Sequence, residues 1–178
     1  MDILSNKFEK RMEETKTNEG KAAEMEHAIR HEIKVKIEEN PVYYSSLKEK
    51  LEELIQARKS KQMDIIDLVE ALREKVNDMR NTSQKSEEHG MTREQYPFYQ
   101  MVEKELGEED QNALKDLTHI QTEMIQDQAV IEWTEKEDVK REMRKRIKHQ
   151  LRSSKINKDK IEALAQRLMD LAAVHYKK

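Results

Sequence analysis

Val139, Met143, Ile147 and Leu151 recur every four residues, and most positions between them are basic: Lys140, Arg141, Arg144, Lys145, Arg146 and Lys148. A four-residue apolar period gathers side chains on one face only in an α-helix. The stretch is therefore a rod with one thin apolar seam and a cationic back. Thr134 followed by Glu137 predicts a capping box at its start. Glu135, Glu137 and Asp138 place negative charge near the positive end of the helix dipole. The other helices read as a scaffold for this one.

The same period runs through the rest of the chain. Ile3, Leu4, Phe8 and Met12 predict a first amphipathic helix, and Ala22, Met25, Ile29, Ile33 and Ile37 a second. Ile33, Val35 and Ile37 also alternate as in a strand, but the helical period reaches back to Ala22 without a turn signal. Asn40-Pro41 ends that helix and starts the next, since proline suits a first helical position with asparagine as cap. Tyr44, Leu47, Leu51, Leu54 and Ile55 form its face. Ser60 to Gln62 either breaks it or lies within one longer rod. Ile65, Ile66, Val69, Leu72, Val76 and Met79 follow at near-heptad spacing. Residues 81–90 contain no aliphatic side chain before Gly90 and are expected to be a linker or mobile loop. Thr92 and Gln95 then offer a second capping box, and Met101, Val102 and Leu106 continue to Gly107. Leu114, Leu117, Ile120, Met124 and Ile125 mark a helix from about Glu108 to Gln128. Asn157 caps the last helix, with Ile161, Leu164, Leu168, Leu171 and Val174 inward.

These stripes predict an all-α protein, a bundle of about six to eight helices in two small lobes. The lobes are residues 1–80 and 91–178, the second carrying the basic helix, joined through 81–90. With 40% charged and 4% aromatic residues among 178, only a modest core is possible. The net charge of −3 gives no general attraction to nucleic acid, so such a contact must be local. Against the basic run stands an acidic cluster of Glu103, Glu105, Glu108, Glu109 and Asp110.

Several chemistries have no footing. Without cysteine there is no disulfide, thiolate nucleophile or Cys-type zinc site, which suits a reducing cytoplasm. No apolar run approaches membrane-spanning length and no signal peptide opens the chain, so the expectation is a soluble, cytoplasmic protein without a membrane partner. Gly20, Gly90 and Gly107 are the only glycines, so no phosphate-cradling glycine motif can be written. His27 and His31 lie one helical turn apart, a spacing that suits a shared metal. Their context is His-Ala-Ile-Arg-His-Glu, not the zinc-protease pattern, and surface or interhelical hydrogen bonding is the better reading. No residue is assigned a catalytic or metal-binding role.

The basic helix remains. Glu137 with Arg141 and Glu142 with Arg146 are spaced for internal ion pairs. That leaves Lys140, Arg144, Lys145, Lys148 and Arg152 as candidates for binding a partner protein or the DNA backbone. Trp133, the only tryptophan, precedes the helix and is the candidate interface anchor, with a core or interlobe position as the plainer alternative.

Asp-Ile-Leu-Ser-Asn-Lys-Phe-Glu (2–9), Lys-Ala-Ala-Glu-Met-Glu-His-Ala-Ile-Arg-His (21–31) and Glu-Asn-Pro-Val-Tyr-Tyr-Ser-Ser-Leu (39–47) stand in order. Gly-Met-Thr-Arg-Glu-Gln-Tyr-Pro-Phe-Tyr (90–99) and Trp133 with the 139–151 helix follow. Together these blocks resemble the C-terminal helical region of the R (restriction, motor) subunit of type I restriction-modification enzymes. The resemblance implies a parent that is an ATP-dependent site-specific deoxyribonuclease. Its nuclease domain and two RecA-like motor domains precede this helical end, and ATP and Mg2+ are its cofactors. The implied partners are the methyltransferase and specificity subunits and the second motor domain of the same polypeptide. None of the family's nuclease or ATP-binding motifs falls on a position here. The expectation is thus a non-catalytic fragment without cofactor, begun at an added Met1, that docks the motor subunit onto the methyltransferase core. A helical module gripping DNA backbone through 139–152 is the alternative.

Overall fold

Polar caps and one proline cut the chain into rods. The computed structural model describes residues 5–107 and 110–178. Among these residues there is no strand, and nine α-helices occur: α1 Asn6–Glu14, α2 Asn18–Lys36, α3 Pro41–Lys59, α4 Ile65–Arg80, α5 Thr82–Glu88, α6 Tyr96–Leu106, α7 Gln111–Gln128, α8 Glu137–Arg152 and α9 Lys158–His175. A 3-10 turn, Trp133–Glu135, precedes α8. Ile3, Leu4, Glu108 and Glu109 lie outside the described residues.

The count exceeds the expected six to eight because α5 occupies the stretch expected as a loop. Ser, Gln, Lys and Glu are adequate helix formers, and the Thr82 hydroxyl donates to the Met79 carbonyl at the junction with α4. Gly90, at φ 68°, turns the chain out of α5, a left-handed conformation that costs glycine little.

By its contacts the chain divides into two units, Met1–Lys85 and Ser86–Lys178. In the first, α2 packs on both α3 and α4, and α3 packs on α4. Met25, Ile29, Leu51 and Leu72 are almost fully buried along these seams, and Phe8 and Met12 of α1 join them. The Arg80 guanidinium lies over the Phe8 ring, 5.8 Å from its centroid, and pairs with Glu9. Asn40 caps α3, accepting from the Tyr43 amide at 3.2 Å. The α3–α4 rod is broken at residues 60–64: Lys61 takes φ 60° and Asp64 restarts the helix by accepting from the Asp67 amide at 2.8 Å.

Two apolar positions of this unit point outward. Val35 is exposed while Ile29 and Ile33 are buried, so the helical period, not the alternation, decides that segment. Ile66 is exposed, whereas Leu68, Leu72, Val76 and Met79 face inward. A two-residue offset from Leu68 rotates a side chain by about 200° around the axis, so Ile66 and Leu68 cannot both reach the seam.

In the second unit α6 packs on α7, α7 on α8, α8 on α9, and α9 back on α6. The result is a four-helix bundle. Phe98, Val102, Ile125, Met143, Ile147, Leu151, Ala165, Leu168 and Ala172 are wholly buried within it. The Thr92–Gln95 box forms as read: the Gln95 amide donates to Thr92 Oγ1 at 3.2 Å, and the Thr92 amide to Gln95 Oε1 at 3.1 Å. Gln95 Nε2 also donates to Thr122 Oγ1 on α7 at 3.0 Å. Ile120 and Val174, expected inward, are exposed. Buried Thr118, Gln121 and Thr122 show that α7 presents a different, partly polar stripe to the core.

Candidate functional site

The α8 helix is fixed from one side by its seam. Met143, Ile147 and Leu151 have no exposed surface and Val139 is half-buried, so the apolar face is consumed within the bundle. The entry to α8 differs from the predicted capping box. Thr134 sits inside the 3-10 turn, Lys136 stands at the cap position, and no side chain caps the helix. Glu137 and Asp138 still occupy the first turn.

The turn is tied to the end of α9. Trp133 is almost completely buried, and its Nε1 donates to the Tyr176 carbonyl at 2.9 Å. Glu132, at φ 57°, donates its amide to the Lys178 carbonyl at 2.8 Å. The candidate interface anchor Trp133 is therefore a core anchor, because an indole with no accessible face has nothing to offer a partner. Tyr176 beside it is also buried. Burial pushes its hydroxyl up to about 12 from an ordinary 10.0, with the Glu94 charge adding to the rise and Gln126 opposing it. A raised folded-state value favours the neutral hydroxyl, so its contribution to stability is complete below pH 10 and is lost as pH climbs through about 12. The expected result is an alkaline fall in the unfolding midpoint that is shallower in Tyr176→Phe, read by thermal melts of both proteins across that window.

The five candidate cations separate into two groups. Lys140 pairs with Glu137, displacing the expected Glu137–Arg141 pair. Hydrogen bonding and charge from Lys140 hold the Glu137 carboxyl below its ordinary value. Lys148 reaches Glu162 on α9 at 2.5 Å, and Arg144 donates to Gln166 on α9 at 2.9 Å. These three are engaged within the bundle: Lys140 by a residue of α8 itself, Lys148 and Arg144 because α9 runs alongside and carries acceptors that the α8 sequence does not show. Lys145 and Arg152 are exposed and make no ion pair or hydrogen bond among the described residues, and Arg141 shares that state. The expected Glu142–Arg146 pair forms at 3.2 Å. With its oxygen turned toward the guanidinium, the Gln128 amide of α7 also accepts from Arg146 Nε at 2.9 Å.

Between α7 and α8 runs a groove of about 370 Å³, lined by Met124, Glu142, Lys145, Arg146, His149, Gln150 and Arg152. His149 was not singled out from the sequence, and Met124 was read only as an inward apolar position of its helix. The spacing of Lys145, His149 and Arg152 at i, i+4 and i+7 places them on one helix face, a signal legible in advance.

His27 and His31 are exposed, and no group of three or more His, Cys, Asp or Glu able to hold a metal occurs among the described residues. In the acidic cluster, Glu105 pairs with Lys160 at 3.1 Å, and Asp110 caps α7 by accepting from the Ala113 amide at 3.0 Å. No helix among the described residues is long and apolar enough to cross a membrane.

Fold and site thus define an all-helical module bearing one partly neutralised cationic helix. The family model for type I restriction enzyme HindI endonuclease subunit-like proteins, C-terminal, matches residues 1–178, and the chain belongs to that family. No curated protein matches the chain. No solved structure matches it either.

Proposed function

We propose that this chain is the assembly domain of a type I restriction motor subunit, docking it onto the methyltransferase core. In this reading the domain packs on the second motor domain of its own polypeptide and meets the methyltransferase and specificity subunits with an outer surface. It carries out no turnover itself. The parent supplies ATP-driven translocation and cleavage.

One observation supports a protein-facing surface above the others. Val130 and Ile131, neighbours in the turn before α8, are 45% and 72% exposed although both are large and apolar. Their turn is held in place: the Trp133 amide donates to the Val130 carbonyl at 3.1 Å, and Lys136 Nζ to the Ile131 carbonyl at 2.9 Å. An apolar pair on a fixed turn meets a partner without a large ordering cost. The buried seam of α8 cannot serve this purpose, since Met143 and Ile147 are already covered.

The test is capture of a purified methyltransferase–specificity complex by the 178-residue chain across salt concentrations. Ile131→Asp lowers capture by about tenfold or more, the effect of losing an interface hot spot, and leaves helicity unchanged because the side chain is exposed. Binding that is indifferent to this substitution, or absent for the natural chain, refutes the reading.

A further inference from the structure

We infer that the α7–α8 groove is a phosphodiester-binding site that grips the backbone of duplex DNA, with Lys145 and Arg152 as its charges and His149 as a ring donor between them. The site is separate from the Val130–Ile131 turn and does not depend on the docking reading.

Of the positive groups on the rim, Arg146 is bonded to Glu142 and to the Gln128 amide. That pair cancels and forms a neutral wall. Lys145 and Arg152 make no ion pair or hydrogen bond among the described residues and stand exposed on the same rim, with the Arg152 charge felt only at longer range by Glu162 of α9. The rise from 145 to 152 is about 10 Å, so the two charges address separate phosphates along a strand rather than a single small anion.

The chemistry of each group fits. The Arg152 guanidinium offers a planar fork suited to paired phosphate oxygens, and the Lys145 ammonium a compact charge with three donors. Arg152 sits in the last turn of α8, where exposed carbonyls would otherwise repel an anion. Two of those carbonyls are occupied: the His149 carbonyl accepts from both the amide and the hydroxyl of Ser153, and the Leu151 carbonyl from Ser154. Met124 supplies the one apolar side chain of a wall otherwise lined by charged and polar groups.

What is missing from the lining narrows the ligand. It contains no Trp, Tyr or Phe, so beyond the small His149 ring bases have no platform to stack on and a single strand gains little. The available groups contact phosphate, which positions a duplex without reading its sequence. Membership in a restriction endonuclease subunit family favours DNA as the duplex. A net charge of −3 makes the rest of the surface a poor polyanion binder, so the contact is local and sensitive to salt.

The experiment is fluorescence anisotropy of a short labelled DNA duplex titrated with the 178-residue chain at increasing salt. The expected result is weak binding whose logarithm falls against log salt with a slope of about −2, near −0.9 for each of two phosphates. The double variant Lys145→Glu with Arg152→Glu loses at least about tenfold in affinity at low salt and most of that slope. Lys48→Glu with Lys59→Glu, the same change of net charge on exposed positions of α3, stays near the natural protein. Circular dichroism verifies that both variants keep their helices. The proposal is overturned by undetectable duplex binding at low salt, or by a groove variant no weaker than the α3 control. It is equally overturned by a duplex RNA held as tightly as DNA, or by a groove variant that loses methyltransferase capture while binding DNA as before. Ile131→Asp leaves DNA affinity intact, so failure of the groove and failure of the docking turn give different patterns.

Discussion

Trp133→Ala lowers the stability of the Ser86–Lys178 unit by about 3–5 kcal/mol, the range for truncating a buried tryptophan or phenylalanine. The indole is almost fully covered and its Nε1 hydrogen bond to the Tyr176 carbonyl holds the start of α8 to the end of α9. Truncation opens a cavity and leaves that carbonyl short of a donor, and both effects act in the same direction. Urea denaturation followed by helicity measures the loss. Tryptophan fluorescence of the natural chain reports the same transition, because the chain has one tryptophan. A change below about 0.5 kcal/mol, the usual range of a surface substitution, would show that the indole is not packed as described. Trp133→Phe retains most of the volume and loses only the hydrogen bond, so it falls between the two.

Ile147→Ala is the second large effect, at about 2–5 kcal/mol. Ile147 lies in the middle of the α8 seam with no exposed surface, between Met143 and Leu151. Its consequence reaches the surface. The α8 backbone holds Lys145, His149 and Arg152 in line, and that backbone is positioned by the seam rather than by the helix alone. Loosening it therefore weakens duplex binding in proportion to the fraction unfolded, while Lys145→Glu with Arg152→Glu removes binding from a fully folded protein. Denaturation curves and anisotropy on the same preparations separate the two mechanisms. An Ile147→Ala protein as stable as the natural one would mean that α8 is not held by its apolar face.

Much of the helical pattern was open to reading because it is local. Asn40, Asn157 and the Thr92–Gln95 box satisfy backbone donors within a few residues of themselves, and such bonds depend little on the rest of the fold. Four-residue seams such as Met143–Ile147–Leu151 read correctly for the same reason. The misreadings have physical causes too. Residues 82–88 lack aliphatic side chains, which suggested a loop, but a helix without an apolar stripe still forms between bonded ends. Thr134 had a capping partner at the right spacing, yet Trp133 packing draws that threonine into a 3-10 turn.

The candidate site divides along the same line. Basic residues on one face of α8 are visible in the order of the letters, and so is the impossibility of a cysteine ligand or a glycine phosphate loop. Which cations are spent was not visible. Glu162 and Gln166 belong to α9 and meet Lys148 and Arg144 only because the two helices pack side by side. Gln128 reaches Arg146 across the α7–α8 seam in the same way. The sequence by itself determined the helices, most of their apolar faces and the charge of α8, since these follow from spacing along one chain. Tertiary packing alone decided that Trp133 is interior, that Ile131 is exposed, and that Lys145 and Arg152 are left without a bonded partner. A charge is neutralised by whatever lies within a few ångströms of it, and distance in space is set by how helices pack, not by how residues are numbered.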